Sequence, residues 1–302
     1  LKIQTFTPDS MTLDLAHGEF AITNPKSLWY GRTLYDLYRE GQTPADWHAP
    51  IFARARERGV LCFSTPFSED AVELLESLDA PAYKIASFEA VDLPLIARVA
   101  RTRRPMIVST GMASAAEIAE AVECARDHGC TNLTLLKCTS SYPASPETTN
   151  LRTMPVLAEM FGCNVGLSDH TLGVGVAVAA VALGASVIEK HFILDRSEGG
   201  VDSAFSLEPD EFRQLVDECA RAAQALGRVH FGGTEEEQAG RRKRRSLYIA
   251  RDMKAGEALT PETLRRIRPG LGLPPKHYEA LLGRRVGRDV ARGTPMSWDL
   301  LD

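Results

Sequence analysis

Short apolar, β-branched runs recur along this chain with amphipathic helical stretches between them, and no other feature restricts its fold as strongly. Runs buried on both faces and separated by helix-length crossovers belong to a parallel sheet. Strands are expected at residues 1–5, 60–64, 82–87, 106–110, 133–138, 164–167 and 187–191. Helices are expected at residues 71–78, 93–101, 115–128, 154–161, 174–183 and 209–226. Seven strands are one short of an α/β (β/α)₈ TIM barrel, so the chain reads as a barrel whose first strand lies upstream of Leu1. That reading fits the opening Leu1-Lys2-Ile3-Gln4-Thr5, which lacks Met and is already strand-like. A doubly wound open sheet competes, but no Gly-x-Gly-x-x-Gly follows the first strands.

Residues 6–50 break the regular spacing with an excursion rich in Trp29, Tyr30, Tyr35, Tyr38 and Trp47. An insertion of this kind at the C-terminal end of a barrel strand usually shapes a substrate site. The pattern changes again after Leu226, and three regions are expected: a barrel over 1–228, a linker over 229–245 and a small α+β domain over 246–302. The linker holds Glu235-Glu236-Glu237 and then Arg241-Arg242-Lys243-Arg244-Arg245, read as a solvated charge run. Within the small domain, Arg251-Asp252-Met253 with Gly256 and Thr260 recurs 37 positions later as Arg288-Asp289-Val290 with Gly293 and Ser297. Each copy reads as strand, glycine turn and N-cap hydroxyl.

A net charge of -5 gives no general basic field for nucleic acid. No run of about eighteen apolar residues is present to span a membrane, and no signal peptide opens the chain. The six cysteines include no Cys-x-x-Cys pair, and several sit in apolar runs, so a reducing cytoplasm is the simpler expectation.

Chemistry concentrates at the strand ends: Lys2 and Gln4, Ser64 and Thr65, Lys84 and Ser87, Ser109 and Thr110, Lys137 to Ser141, Ser168 to His170, and Glu189 to His191. A barrel brings the C-terminal ends of its strands to one mouth, where these groups would meet. Hydroxyls capping the following helices explain some of the Ser and Thr positions but not the lysines and histidines. Lys2 and Lys84 with a ring of hydroxyls suit a small anion carrying phosphate and carboxylate, and Gly111 lets backbone N–H groups join. His170 and His191 end the last two strands and suit a divalent metal with water completing its shell. His17, His48, His128, His230 and His277 have no such context and read as loop or surface residues.

On Lys2-Ile3-Gln4-Thr5, Phe63-Ser64-Thr65-Pro66-Phe67, Tyr83-Lys84-Ile85-Ala86-Ser87, Ser109-Thr110-Gly111-Met112, Leu167-Ser168-Asp169-His170-Thr171 and Glu189-Lys190-His191-Phe192, the chain resembles the sialic acid synthase superfamily. Residues 246–302, with Ile267-Arg268-Pro269-Gly270, resemble the antifreeze-like (SAF) domain those synthases carry. The segments Leu28 to Tyr38 and Leu136 to Pro143 are most similar to the pseudaminic acid synthase branch. The resemblance implies that C3 of phosphoenolpyruvate attacks the aldehyde of an open-chain amino-sugar, 2,4-diacetamido-2,4,6-trideoxy-altrose, while water adds at C2 and phosphate leaves by C–O cleavage. It implies that Lys2, Thr65, Lys84, Ser87, Ser109, Ser140 and Ser168 hold phosphoenolpyruvate, with Lys84 also counted among the catalytic groups. It further implies that His170 and His191 bind Mn²⁺, Mg²⁺ or Co²⁺, and that Gln4, Tyr142 and Asp202 line the sugar site. Arg268 would reach into the mouth of a partner protomer, giving a domain-swapped homodimer. The family carries a glutamate on its first strand, which on this reading precedes Leu1.

Three alternatives stay open on sequence alone. One is a sibling synthase making sialic or legionaminic acid; another is a Schiff-base aldolase using Lys84 or Lys137. The third is a sugar-binding protein that keeps the pocket without turnover.

Overall fold

The computed structural model describes residues 1–302 and divides into two compact units, Leu1–Gly227 and Arg228–Asp302. In the first unit, strands β1 (Lys2–Thr5), β2 (Phe63–Pro66), β3 (Tyr83–Ile85), β4 (Met106–Ser109), β5 (Leu133–Cys138), β6 (Asn164–Asp169) and β7 (Val187–Lys190) pair in chain order. Every neighbouring pair is parallel. Although β1 and β7 are edge strands, Lys2 Nζ on β1 lies 3.5 Å from Glu189 Oε1 on β7. The sheet has therefore curled until its two edges face each other across a common interior.

Helices alternate with the strands, and several begin where a side chain satisfies an orphan N–H group: Ser68 accepts from Ala71 N, Asp92 from Leu95 N, and Ser114 forms a capping box with Glu117. The register then sorts residues by parity. Odd or even by strand, the set Ile85, Val108, Leu135 and Leu167 faces the helices and packs with Val72, Leu75, Ile96, Val122 and Met154. Their neighbours one position along face the barrel interior instead. Full burial of each such leucine contributes about 1.5–3 kcal/mol. Gly166 has a specific role in that register, since a Cβ there would stand 2.2 Å from Val187 O and would force β6 away from β7.

Three expectations need correction. The second strand starts at Phe63 rather than Val60, because Val60 and Leu61 are 47% and 73% exposed and pairing begins opposite Lys2. The excursion after β1 also contains the crossover helix Ala45–Glu57, whose start lacks a side-chain cap and whose interior holds Pro50. Both features suppress a sequence-based helix signal. On that helix His48 is buried, with Nδ1 bonded to Pro44 O at 3.0 Å and Nε2 2.8 Å from Thr5 Oγ1. It is a core histidine, not a surface one.

The second unit pairs β8 (Ser246–Ile249) with β9 (Leu264–Ile267) in antiparallel register over a core that includes Leu247, Leu264, Val286 and Met296. Its internal repeat becomes a pseudo-twofold. Met253 bridges Val290, its own equivalent, while Asp252 Oδ1 accepts from Arg292 N at 2.7 Å and Asp289 Oδ1 accepts from Ala255 N at 3.0 Å. Residues 235–240 form a short capped helix, and the basic run after it is exposed as far as Arg245. No helix in the chain is long and apolar enough to cross a membrane.

Candidate active site

The inward parity of the strands brings Lys2, Gln4, Thr65, Lys84, Ser87, Ser109, Tyr142, Ser168, His170 and His191 to the lining of one cavity at the strand C-termini. Ser140 joins through a 2.7 Å hydrogen bond between its hydroxyl and that of Ser87. Gly111 makes this junction possible. Its φ is +48° and a Cβ there would lie 2.5 Å from Ser87 Cβ, so only glycine lets the loop after β4 press against the serine pair.

Two residues without an assigned role also line the cavity, Cys138 and Glu189. Glu189 sits between the lysines, 3.1 Å from Lys84 Nζ and 3.5 Å from Lys2 Nζ. Burial pushes its carboxyl up, but the two ammonium groups outweigh burial and hold it at about 2. Burial likewise draws Lys2 below the ordinary lysine value, against the pull of Glu189. Sequence already placed Glu189 at the mouth with His191, two positions on along an alternating strand, but gave it no role there.

Two hydroxyls in this lining have no partner. Thr65 Oγ1 and Ser109 Oγ are buried without a hydrogen bond, on side chains that are each 1% exposed. A buried hydroxyl left unpaired costs stability, and two of them beside a pair of ammonium groups have the chemistry to accept an anion.

The imidazoles of His170 and His191 lie 5.3 Å apart by ring centroid. His170 Nδ1 stands 3.0 Å from Thr139 O, and because a carbonyl only accepts, Nδ1 carries the proton and a neutral ring leaves Nε2 with its lone pair. His191 Nδ1 faces the Asp202 carboxylate at 3.3 Å. An imidazole oriented through Nδ1 by a carbonyl or carboxylate is the usual support for a metal ligand. The donor set therefore fits a divalent cation held by two imidazoles, with the rest of its shell left to water or substrate; no third His, Cys, Asp or Glu completes a protein-only cluster.

Alternation also removes some strand-end residues from the mouth. Lys190 and Asp169 face the helix layer, where they form an ion pair of 2.8 Å with side chains 1% and 0% exposed. Asp169 Oδ1 accepts from Thr171 N at 2.9 Å and Thr171 Oγ1 at 2.7 Å, while Lys190 Nζ donates to Thr171 O and Gly173 O. The pair ties the turn carrying His170 to β7. Lys190→Met is expected to destabilise the protein by about 3–5 kcal/mol, because it strands a buried carboxylate. Urea unfolding at neutral pH would read this as a lower midpoint. Lys137 also faces outward, with Nζ donating to Cys138 O at 2.7 Å, so it cannot serve as a Schiff-base lysine in this cavity.

Glu89, in the short turn after β3, was missed by sequence reasoning. Its Oε2 is buried without a partner, and burial pushes its carboxyl up to about 7. A carboxyl raised above its unfolded value favours folding below about pH 4.5, and that contribution is lost as pH rises through the folded value. Glu89→Gln should therefore raise the melting temperature more at pH 8 than at pH 5; an equal shift at both would rule out this titration.

Arg268 lies in the second unit, exposed immediately after β9.

Residues 1–231 match the model of the NeuB family and residues 244–302 that of the SAF domain. The chain is 45% identical to a pseudaminic acid synthase of Campylobacter jejuni over 97% of this chain and 85% of that one. It is 44% identical to a pseudaminic acid synthase of Helicobacter pylori over 99% of this chain and 88% of the relative. Among solved structures, the N-acetylneuraminic acid synthetase of Leptospira borgpetersenii, in complex with citrate, superposes with a TM-score of 0.68 at 29% identity, covering 79% of this chain and 78% of the other.

Proposed function

Because the chain belongs to the NeuB family, we propose that it condenses phosphoenolpyruvate with 2,4-diacetamido-2,4,6-trideoxy-altrose, releasing phosphate and forming pseudaminic acid. The observation that carries this reading is the grouping, in one mouth, of Lys2, Lys84 and two orphaned hydroxyls beside a pair of supported imidazoles. An anion and an electrophile can be held there side by side.

The ammonium groups of Lys2 and Lys84 bind the phosphate and carboxylate of phosphoenolpyruvate. Thr65 and Ser109 donate their unpaired hydroxyls to the same anion, and Ser87, Ser140 and Ser168 complete the ring. Glu189 keeps both ammonium groups aimed inward, since its carboxylate oxygens contact one each. Gln4, Tyr142 and Asp202 hold the sugar, and Asp202 also fixes the orientation of the His191 ring. His170 and His191 would hold a divalent metal, which would supply Lewis acidity for the sugar aldehyde and for the water that adds at C2. The enol carbon C3 forms the new C–C bond at the aldehyde, whose oxygen takes one proton from the water that adds at C2; the C2–O bond to phosphate then breaks, C2 becomes the ketone, and phosphate leaves toward the lysines with the second proton.

The proposal extends to the second unit: Arg268 of one protomer completes the mouth of another in a domain-swapped homodimer. The six free cysteines accord with a place in the reducing cytoplasm.

The decisive assay is phosphate release from phosphoenolpyruvate with Mn²⁺ and the trideoxy-altrose, alongside N-acetylmannosamine and a metal-free control. Metal-dependent release with the altrose alone supports the proposal. Release only with N-acetylmannosamine moves the chain to the sialic acid branch, and release with neither points to another sugar or to a binding role.

A further inference from the structure

The polar half of the mouth gives way to an aromatic wall. The Tyr142 ring lies 4.5 Å from His170 and 5.3 Å from Phe205, and Phe205 lies 5.0 Å from His191. Beyond Tyr142 stands Trp29, at 6.2 Å and tilted by 51°. Trp29 comes from the excursion after β1, and its only donor is already used: Nε1–H donates to Val201 O at 3.0 Å. That bond joins two distant loops, because Val201 precedes Asp202, whose carboxylate supports His191. The indole is thus tethered, and next to Tyr142 it presents an apolar ring with no free hydrogen-bonding group.

We propose that Trp29 is a specificity-determining residue, the outer wall against which the substrate places the methyl group of a 6-deoxy sugar. The inference rests on the synthase reading above. With the reacting aldehyde at the histidines, C6 is the far end of an open-chain sugar, and the rings lead from the histidines through Tyr142 to Trp29. A methyl group gains by leaving water against that surface. A 6-hydroxyl there finds no partner and loses its hydration. Apolar walls discriminate a methyl from a hydroxyl-bearing counterpart by at most about a hundredfold, so the expected effect is moderate and measurable.

The test compares kcat/KM for 2,4-diacetamido-2,4,6-trideoxy-altrose and for the same sugar with a 6-hydroxyl, in the wild type and in Trp29→Phe, Trp29→Ala and Trp29→Gln. Wild type should prefer the deoxy sugar by about 10–100-fold. Trp29→Phe should keep most of that preference, Trp29→Ala should reduce it about tenfold through loss on the deoxy sugar, and Trp29→Gln should reduce it further. KM for phosphoenolpyruvate should not move. Equal losses with both sugars, or an unchanged ratio in the folded Ala and Gln variants, would overturn the assignment and leave the synthase reading intact. Absence of turnover with either sugar in the wild type would instead overturn the synthase reading, and this inference with it.

Discussion

His191→Ala is expected to lower metal-dependent phosphate release by about a thousandfold or more while leaving the unfolding transition in place. The size follows from the role: Lewis-acid stabilisation supplies several kcal/mol at the transition state, and each ~1.4 kcal/mol is a factor of ten. The fold should survive because the His191 side chain is 22% exposed and its polar contact is to Asp202, which is itself 40% exposed. Mn²⁺ titration followed by paramagnetic relaxation of water protons would separate the two readings. Weakened metal binding in a protein that still unfolds cooperatively supports a ligand. Loss of cooperative unfolding together with activity would mean that His191 is a core histidine.

Lys84→Met is expected to lower kcat/KM for phosphoenolpyruvate by about 10²–10³-fold, the cost of truncating one member of a desolvated charge pair. Its side chain is 4% exposed, against 19% for Lys2, so water cannot replace the missing ammonium. The electrostatics of Glu189 should change in the same variant. Lys84 is the strongest charge holding that carboxyl at about 2, so removing it should move the pKa up toward the ordinary range. In the wild type a depressed carboxyl stabilises the fold above its unfolded value near 4.5, and that support is lost as pH falls through about 2. The acid-unfolding midpoint of Lys84→Met should therefore lie at higher pH. An unchanged midpoint would show that Lys2 alone satisfies Glu189. Borohydride treatment of the wild type with keto-acid gives an independent check, since a trapped lysine would make Lys84 a covalent nucleophile instead of an anion contact.

The strands were legible because each is a short β-branched run between helices, and their order followed from the need for crossovers in a parallel sheet. The lysines and histidines were legible for a related reason: a charged group at the end of an apolar run must face either solvent or a site. Parity was the harder part. Ser168, Asp169 and His170 are consecutive, as are Glu189, Lys190 and His191, and sequence treated each trio as one cluster facing one mouth. The pleat sends the middle member of each trio to the other face, where Asp169 and Lys190 neutralise each other under the helices. The same period sends Lys137 outward and Cys138 inward.

Helix Ala45–Glu57 and buried His48 were not legible, since an uncapped start and an internal proline erase the local pattern, and the bond from His48 to Thr5 on β1 joins segments far apart in the chain. Glu89 was hidden for another reason. Nothing in Ser87-Phe88-Glu89 distinguishes a solvated glutamate from one whose Oε2 is sealed from water, because burial is a property of the surrounding layers.

By itself, then, the sequence determined the alternating α/β plan, the repeat that builds the second unit, and the residue types available to bind an anion and a cation. These depend on local spacing and on the chemistry of single side chains. Tertiary structure alone decided which polar residues share the mouth, that Glu189 stands between two lysines, and that Trp29 reaches Val201 across the fold. Those outcomes depend on the direction of each strand's pleat and on how far the sheet curls, and both are set by contacts between segments far apart in the chain.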